Sequence, residues 1–133
     1  MAPLKVRWLF LSVPVLGILL ICLLIAIADI YSTDALRFGF TAMPGFDKLG
    51  HFFIYGIFAF SCSFFGRLSG VSLFRKPRTQ TFITSLILAF AFVEEFTQLF
   101  LSTRSFELMD LVCDTTGILM GVKLGFRALK MVQ

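Results

Sequence analysis

The sequence predicts an all-α, polytopic membrane protein with four transmembrane helices, and three observations lead to this fold class. Of the 133 residues, 58% are apolar and only 15% are charged, whereas soluble domains carry about 25% charged residues. A soluble chain this short exposes much of its surface. A mean hydropathy of +0.92 with 18 Phe is therefore incompatible with a surface that faces water. The apolar residues also form four runs, each close to the roughly 20 residues of a bilayer crossing.

The four runs define the predicted spans within a single domain of residues 1–133, at about residues 8–28, 49–65, 81–101 and 108–126. The first run ends in an A-x-A pattern like that of a signal-peptide cleavage site, but it is longer than the usual apolar region of about 7–15 residues. We therefore expect it to stay as an anchor. The alternating Leu36, Phe38 and Phe40 that follow it predict an interfacial segment.

The charged residues predict the orientation of the spans. With the N-terminus in the cytoplasm, nine Lys or Arg and no carboxylate lie on the cytoplasmic side, while three basic residues and all eight carboxylates lie outside. This distribution follows the positive-inside rule, so both termini are predicted to be cytoplasmic. Topology and contact with anionic lipids account for the basic surplus. No nucleic-acid-binding module is recognisable, so nucleic acid is not an expected partner.

The second span carries a polar stripe. Asp47, His51 and Tyr55 are spaced i, i+4, i+8 and therefore share one helical face. A histidine transfers protons near neutral pH, and a carboxylate one turn away orients it. Under the alternative interpretation, Asp47 caps the helix, His51 and Tyr55 are interfacial aromatics, and Lys48 is a snorkelling anchor.

The third span has Glu94, Glu95 and Gln98 near its outer end. A carboxylate inside the membrane costs a few kcal/mol, so it needs a partner or a water-filled cavity. Glu95 and Gln98 share a face at i, i+3, whereas Glu94 points about 100° away. We therefore expect at most one of the two glutamates to lie beside Gln98. The alternative to a functional role is that a glutamate of this span forms a purely structural ion pair.

The fourth span opens with Asp110 and Asp114 at i, i+4, after Arg104 in the outer loop. A doubled G-x-x-x-G pattern at positions 117, 121 and 125 follows them and predicts close packing of helices. Three separate segments thus place their polar residues in the outer third of the membrane. Two helix N-termini point to the same layer near Lys48 and Arg104, an arrangement that attracts an anion such as a phosphate.

These polar residues form the predicted site. The candidate catalytic residues are His51, Glu95, Asp47 and Asp110, and the candidate substrate-binding residues are Lys48, Tyr55, Gln98, Arg104 and Asp114.

The ordered set of polar residues resembles the VanZ-like family over about residues 44–125. The matching positions are Asp47-Lys48, His51, Tyr55, Glu95-x-x-Gln98, Arg104, Asp110, Gly117 and Gly121. Where this chain has Asp114, the family usually carries Asn, so this chain adds a negative charge to the layer. The resemblance implies a helical bundle in the bacterial inner membrane, a link to the cell envelope, and resistance to glycopeptides of the teicoplanin type.

Two hypotheses of function follow. In the first, the protein is an envelope enzyme or binder whose site opens to the outer leaflet and recognises a phosphate-bearing or glycan lipid. Lys48 and Arg104 would hold the anion, while His51 with Glu95 or Asp47 would move a proton. In the second, it is a non-enzymatic accessory or assembly subunit whose Phe faces meet partner transmembrane helices.

A metal-dependent hydrolase is a further, less favoured interpretation of the polar residues. One histidine with several carboxylates suits Mg²⁺, Mn²⁺ or Ca²⁺ better than zinc. The sequence alone assigns neither a metal ligand nor a cofactor.

Overall fold

The computed structural model describes residues 4–30, 46–101 and 106–132. Its helices are α1 (Leu4–Ile30), α2 (Phe46–Leu68), the short α3 (Ser72–Arg75), α4 (Pro77–Thr97) and α5 (Leu108–Val132). A 3₁₀ turn at Gln98–Phe100 continues α4. The described residues contain no strand, which confirms the predicted all-α class.

Three of the described helices are long and apolar enough to cross a membrane, at Lys5–Ile27, Asp47–Leu68 and Pro77–Phe100. The prediction of four such spans is wrong on this measure. Helix α5 has 25 residues and is long enough. However, it carries charged residues towards both ends, so it has no stretch as apolar as those of the other three helices. These residues are Asp110 and Asp114 near its start and Lys123, Arg127 and Lys130 towards its end.

Helices α1 and α4 run antiparallel to α2. The Arg7 guanidinium at the start of α1 donates hydrogen bonds to the carbonyls of Ser69 (3.0 Å) and Gly70 (2.9 Å), just beyond the end of α2. Near the start of α2, the ring of Tyr55 lies 6.4 Å from that of Phe90, which is in the second half of α4. The start of α2 and the end of α4 therefore lie at the same end of the bundle.

Helices α2 and α5 run parallel and in close backbone contact. A Cβ on Gly117 would overlap the carbonyl of Phe52, and a Cβ on Gly121 would overlap the carbonyl of Gly56. Gly125 continues the contact one turn further. These three glycines, which we call the glycine stripe, thus pack closely within the chain. Their contacts fix the register of α2 on α5.

An apolar core joins α1, α2, α4 and α5. Its buried members are Ile21, Tyr55, Phe58, Ala59, Ile87, Ala91 and Ile118. The charged residues lie beyond this core, at the two ends of the bundle. Arg67, at the end of α2, stacks over the ring of Phe126 at 4.9 Å, whereas the acidic residues of α2, α4 and α5 collect at the opposite end.

Candidate functional site

The centre of the site is His51 on α2, which faces one carboxylate from each of two other helices. Its Nδ1 lies 3.1 Å from Asp114 Oδ1 on α5 and 3.8 Å from Glu95 Oε1 on α4. The glycine contacts produce this pairing, because the register that sets Gly117 against Phe52 also sets Asp114 beside His51. The His51 side chain is 10% exposed, and those of Glu95 and Asp114 are 0% exposed.

Gln98 connects the two glutamates of α4. Its Nε2 donates hydrogen bonds to Glu94 Oε1 (2.8 Å) and to Glu95 Oε1 (3.0 Å), and all three side chains are buried. The expectation that at most one glutamate lies beside Gln98 is therefore wrong. On the helical wheel Gln98 falls about 40° from Glu94 and about 60° from Glu95 on the other side, so it can reach both. We call His51, Glu94, Glu95, Gln98 and Asp114 the polar cluster.

Some polar atoms in and beside the polar cluster have no partner in the described part of the chain. Glu95 Oε2, Asp114 Oδ2 and the Tyr55 hydroxyl are buried and make no hydrogen bond. A buried polar group left unsatisfied costs about 1–3 kcal/mol, and more if it is charged. Native folds rarely keep such groups without a reason. These atoms therefore mark a place where a bound group can supply the donors that the described residues do not.

Lys48 lies at the edge of the site and is already paired. Its Nζ lies 2.7 Å from Glu107 Oε2 and 3.5 Å from Asp110 Oδ1, and its side chain is 31% exposed. Glu107 is absent from the predicted site residues, although it stands three positions before Asp110 and seven before Asp114, which is the spacing of one helical face. The Lys48–Glu107 pair thus lies at the exposed edge of the site, with side chains that are 31% and 47% exposed.

Asp47 and Asp110 flank the exposed side of His51. One ligand atom from each of these three residues lies within 4.8 Å of the other two. Asp47 is exposed and Asp110 is buried.

Two predictions fall outside the described residues. Arg104 and the interfacial segment around residues 36–40 lie in ranges that the structure does not describe. The other predicted site residues all lie at one end of the bundle, as the sequence indicates: Asp47, Lys48, His51, Tyr55, Glu95, Gln98, Asp110 and Asp114.

The geometry at His51 suits proton transfer. A carboxylate within hydrogen-bond distance of one ring nitrogen fixes the tautomer and orientation of the imidazole. The ring can then accept or donate a proton at a reacting group placed within reach. Here Asp114 is the orienting carboxylate, and Glu95 is a second carboxylate close to the same nitrogen.

An apolar groove of about 240 Å³ lies along α2 and α5. It extends from the level of Phe52, the residue after His51, towards the opposite end of the bundle. Its dimensions and lining suit a hydrocarbon chain. The residues that line it are Phe52, Phe53, Gly56, Ile57, Phe60, Gly117, Met120, Gly121 and Leu124.

Three apolar helices of membrane-spanning length, with a buried polar cluster near one end, define a helical membrane protein with an internal polar site. The chain belongs to the VanZ/LLP1 family, whose model matches residues 3–129. This match confirms the resemblance found in the sequence and extends it to almost the whole chain. No curated protein and no solved structure matches the chain.

Proposed function

We propose that this protein is a bacterial inner-membrane protein whose polar cluster binds or modifies the headgroup of an envelope lipid or lipid-linked precursor at the outer leaflet. The observation that carries the proposal is the pair of unpartnered buried oxygens, Glu95 Oε2 and Asp114 Oδ2, on the two carboxylates closest to His51. Hydroxyl or amino groups of a glycan headgroup would supply the donors that these oxygens lack.

Lys48 is the group proposed to receive a phosphate of the headgroup. It is the described cation closest to the polar cluster, and it is partly exposed. Helices α2 and α5 both begin at this end of the bundle, so their free backbone amides favour the same anion. Arg104, as the sequence predicts, would add a second positive charge. The phosphate would compete with Glu107 for the ammonium group of Lys48.

His51 is the group proposed to move a proton if the protein modifies its ligand. Asp114 holds the ring, so its remaining nitrogen can take a proton from a hydroxyl group or a water molecule. The unpartnered Tyr55 hydroxyl, one turn along α2, is a further donor to the ligand. The apolar groove on α2 and α5 would accept part of the lipid chain.

The proposed orientation places both termini in the cytoplasm and the polar cluster near the outer surface. The support is the separation of basic and acidic ends together with the positive-inside rule. Helix α5 lacks the composition of an independent span, yet its glycines hold it against α2 over several turns. We therefore infer that α5 accompanies α2 through the membrane, with its aspartates shielded by the neighbouring helices.

A deletion and complementation experiment tests the proposed function. In the native host, we expect loss of the gene to alter the envelope lipids and to lower tolerance to a teicoplanin-type glycopeptide. Wild-type protein should restore both properties, and His51→Gln and Glu95→Gln should not. Thr116→Ala is the matched control, because this exposed side chain on α5 bonds only its own helix at the Val112 carbonyl. Full complementation by His51→Gln and Glu95→Gln, both inserted at wild-type levels, would refute the proposal.

The second candidate function is an assembly subunit. Helix α4 and the 3₁₀ turn after it carry exposed aromatic rings, with Phe92 and Phe96 6.3 Å apart and Phe96 and Phe100 5.9 Å apart. Such a face suits a partner transmembrane helix. The glycine stripe gives this candidate no support, because it packs inside the chain. Native mass spectrometry after gentle extraction separates the two functions: a stoichiometric heteromeric complex favours assembly, and a monomer with bound lipid favours the lipid site.

A further inference from the structure

We propose that the polar cluster binds one divalent cation of the kind that prefers oxygen ligands, such as Mn²⁺ or Mg²⁺. The ligands are His51 from α2, Glu94 and Glu95 from α4, and Asp114 from α5. One ligand atom from each of these four residues lies within 4.8 Å of the other three. His51 and Asp114 are thus in contact, although they are 63 positions apart in the sequence.

The separations fit a single coordination sphere. Ligands at about 2.1 Å from a metal ion are about 3 Å apart when adjacent and about 4.2 Å apart when opposite. His51 Nδ1 lies 3.1 Å from Asp114 Oδ1 and 3.8 Å from Glu95 Oε1. Small side-chain shifts would let these atoms surround one ion, which would then replace the hydrogen bond between His51 and Asp114.

The unpartnered carboxylate oxygens are an independent observation that points to a ligand. Glu95 and Asp114 are 0% exposed. Neither Glu95 Oε2 nor Asp114 Oδ2 has a hydrogen-bond partner among the described residues. A network that only joined the helices would leave no reason for two buried acceptors to lack a donor. A cation that these carboxylates hold through both oxygens satisfies the two acceptors without adding a side chain.

The net charge of the cluster favours a cation, because the neutral donors of a headgroup would not compensate it. Its three carboxylates outnumber its one imidazole, so their ionised forms leave a net negative charge whether or not the ring is protonated. The nearest described lysine, Lys48, is engaged by Glu107 and Asp110. Buried charge must be compensated or neutralised. A divalent ion supplies that compensation.

The donor set selects the class of ion. Three carboxylates and one imidazole form a hard, oxygen-rich set with no thiolate, which suits Mn²⁺ or Mg²⁺ better than a zinc site rich in histidine or cysteine. Gln98 strengthens this assignment, because its amide group holds one oxygen of each glutamate. Such outer contacts orient metal ligands in proteins.

Direct binding measurements on the full-length protein in detergent test the proposal. We expect metal-depleted protein to bind one Mn²⁺ per chain, measured by the loss of the free Mn²⁺ electron paramagnetic resonance signal, and we expect Mg²⁺ to compete. Glu95→Gln and Asp114→Asn should each weaken binding at least about tenfold. Glu107→Gln is the matched control, because this exposed carboxylate lies outside the four ligands, and it should bind Mn²⁺ like the wild type.

A second measurement covers the case in which a variant fails to fold. Mn²⁺ should raise the melting temperature of the wild-type protein in proportion to the logarithm of its concentration, as a ligand specific to the folded state does. The proposal is overturned if millimolar Mn²⁺ and Mg²⁺ neither bind nor shift the melting temperature. It is also overturned if Zn²⁺ alone binds, or if folded Glu95→Gln and Asp114→Asn bind Mn²⁺ as the wild type does. None of these readouts requires the lipid of the proposed function.

Discussion

His51 Nδ1 and Asp114 Oδ1 lie 3.1 Å apart, although 63 residues separate them in the chain. The contact depends on the parallel register of α2 and α5, which the glycine stripe sets through backbone contact. Packing elements that look purely structural therefore determine the geometry of the candidate site. Substitutions in the glycine stripe or in the His51–Asp114 pair should therefore change both stability and function.

The His51–Asp114 pair should show energetic coupling. Because both groups are buried and bonded to each other, removing one leaves the other unsatisfied. We expect a double-mutant cycle of His51→Ala and Asp114→Ala to give a coupling free energy of about 1–3 kcal/mol. The measurement is the free energy of unfolding in detergent for the wild type, both single variants and the double variant. Additive effects of the two substitutions would show that the pair is not bonded.

Gly121→Ala should destabilise the α2–α5 contact. The new Cβ would overlap the carbonyl of Gly56, and a backbone atom inside a helix cannot move aside cheaply. We expect a loss of about 1–3 kcal/mol in the free energy of unfolding. Gly50→Ala is the control, since nothing lies within 4 Å of its Cβ position. Equal stability of the two variants would contradict the observed packing.

Hydropathy and spacing predict the α-helical class and the common depth of the polar residues. They do not determine which helix lies against which, and so they do not predict the His51–Asp114 and Lys48–Glu107 pairs. Those pairs depend on the α2–α5 register, which the glycine pattern indicates only as close packing. The parallel pairing of α2 with α5 follows from two contacts in the structure, that of Gly117 with Phe52 and that of Gly121 with Gly56.

Two sequence predictions differ from the structure for physical reasons. The fourth apolar run includes Asp110 and Asp114, so α5 is less apolar than the three candidate spans, and both carboxylates are buried against its neighbours. The expectation that at most one glutamate lies beside Gln98 rests on the angle between the two glutamates. A comparison of each with Gln98, which lies between their directions on the helix, predicts the observed bonds.

Arg7→Gln should loosen the contact between α1 and the end of α2. The guanidinium bonds two carbonyls, those of Ser69 and Gly70, and the contact is partly buried. We expect the free energy of unfolding to fall by about 1–3 kcal/mol, because hydrogen bonds from a charged donor are lost. Lys5→Gln, an exposed neighbour on the same helix, should change it by less than about 0.5 kcal/mol. Similar losses for both variants would show that general charge, not this contact, is responsible.

The proposed orientation predicts where reporters fused to the chain will be active. Fusions after residue 132 and within the α3 region should give cytoplasmic fluorescence and no periplasmic phosphatase activity. A phosphatase fused after residue 101 should be active outside. Phosphatase activity after residue 132 would show that α5 does not return through the membrane, and the inferred path of α5 beside α2 would be wrong.

Tyr55→Phe separates a ligand-binding role from a structural one. The Tyr55 side chain is 3% exposed, and its hydroxyl is buried without a hydrogen-bond partner. Removing that hydroxyl takes away a desolvation penalty and keeps the ring against Phe90. The free energy of unfolding should therefore stay the same or rise by about 1 kcal/mol. If the hydroxyl binds the proposed lipid headgroup, the same variant should fail to restore glycopeptide tolerance in the deletion strain. A variant that is stable and fully complementing would remove Tyr55 from the binding site, whereas an unstable variant would show that the hydroxyl has a structural partner.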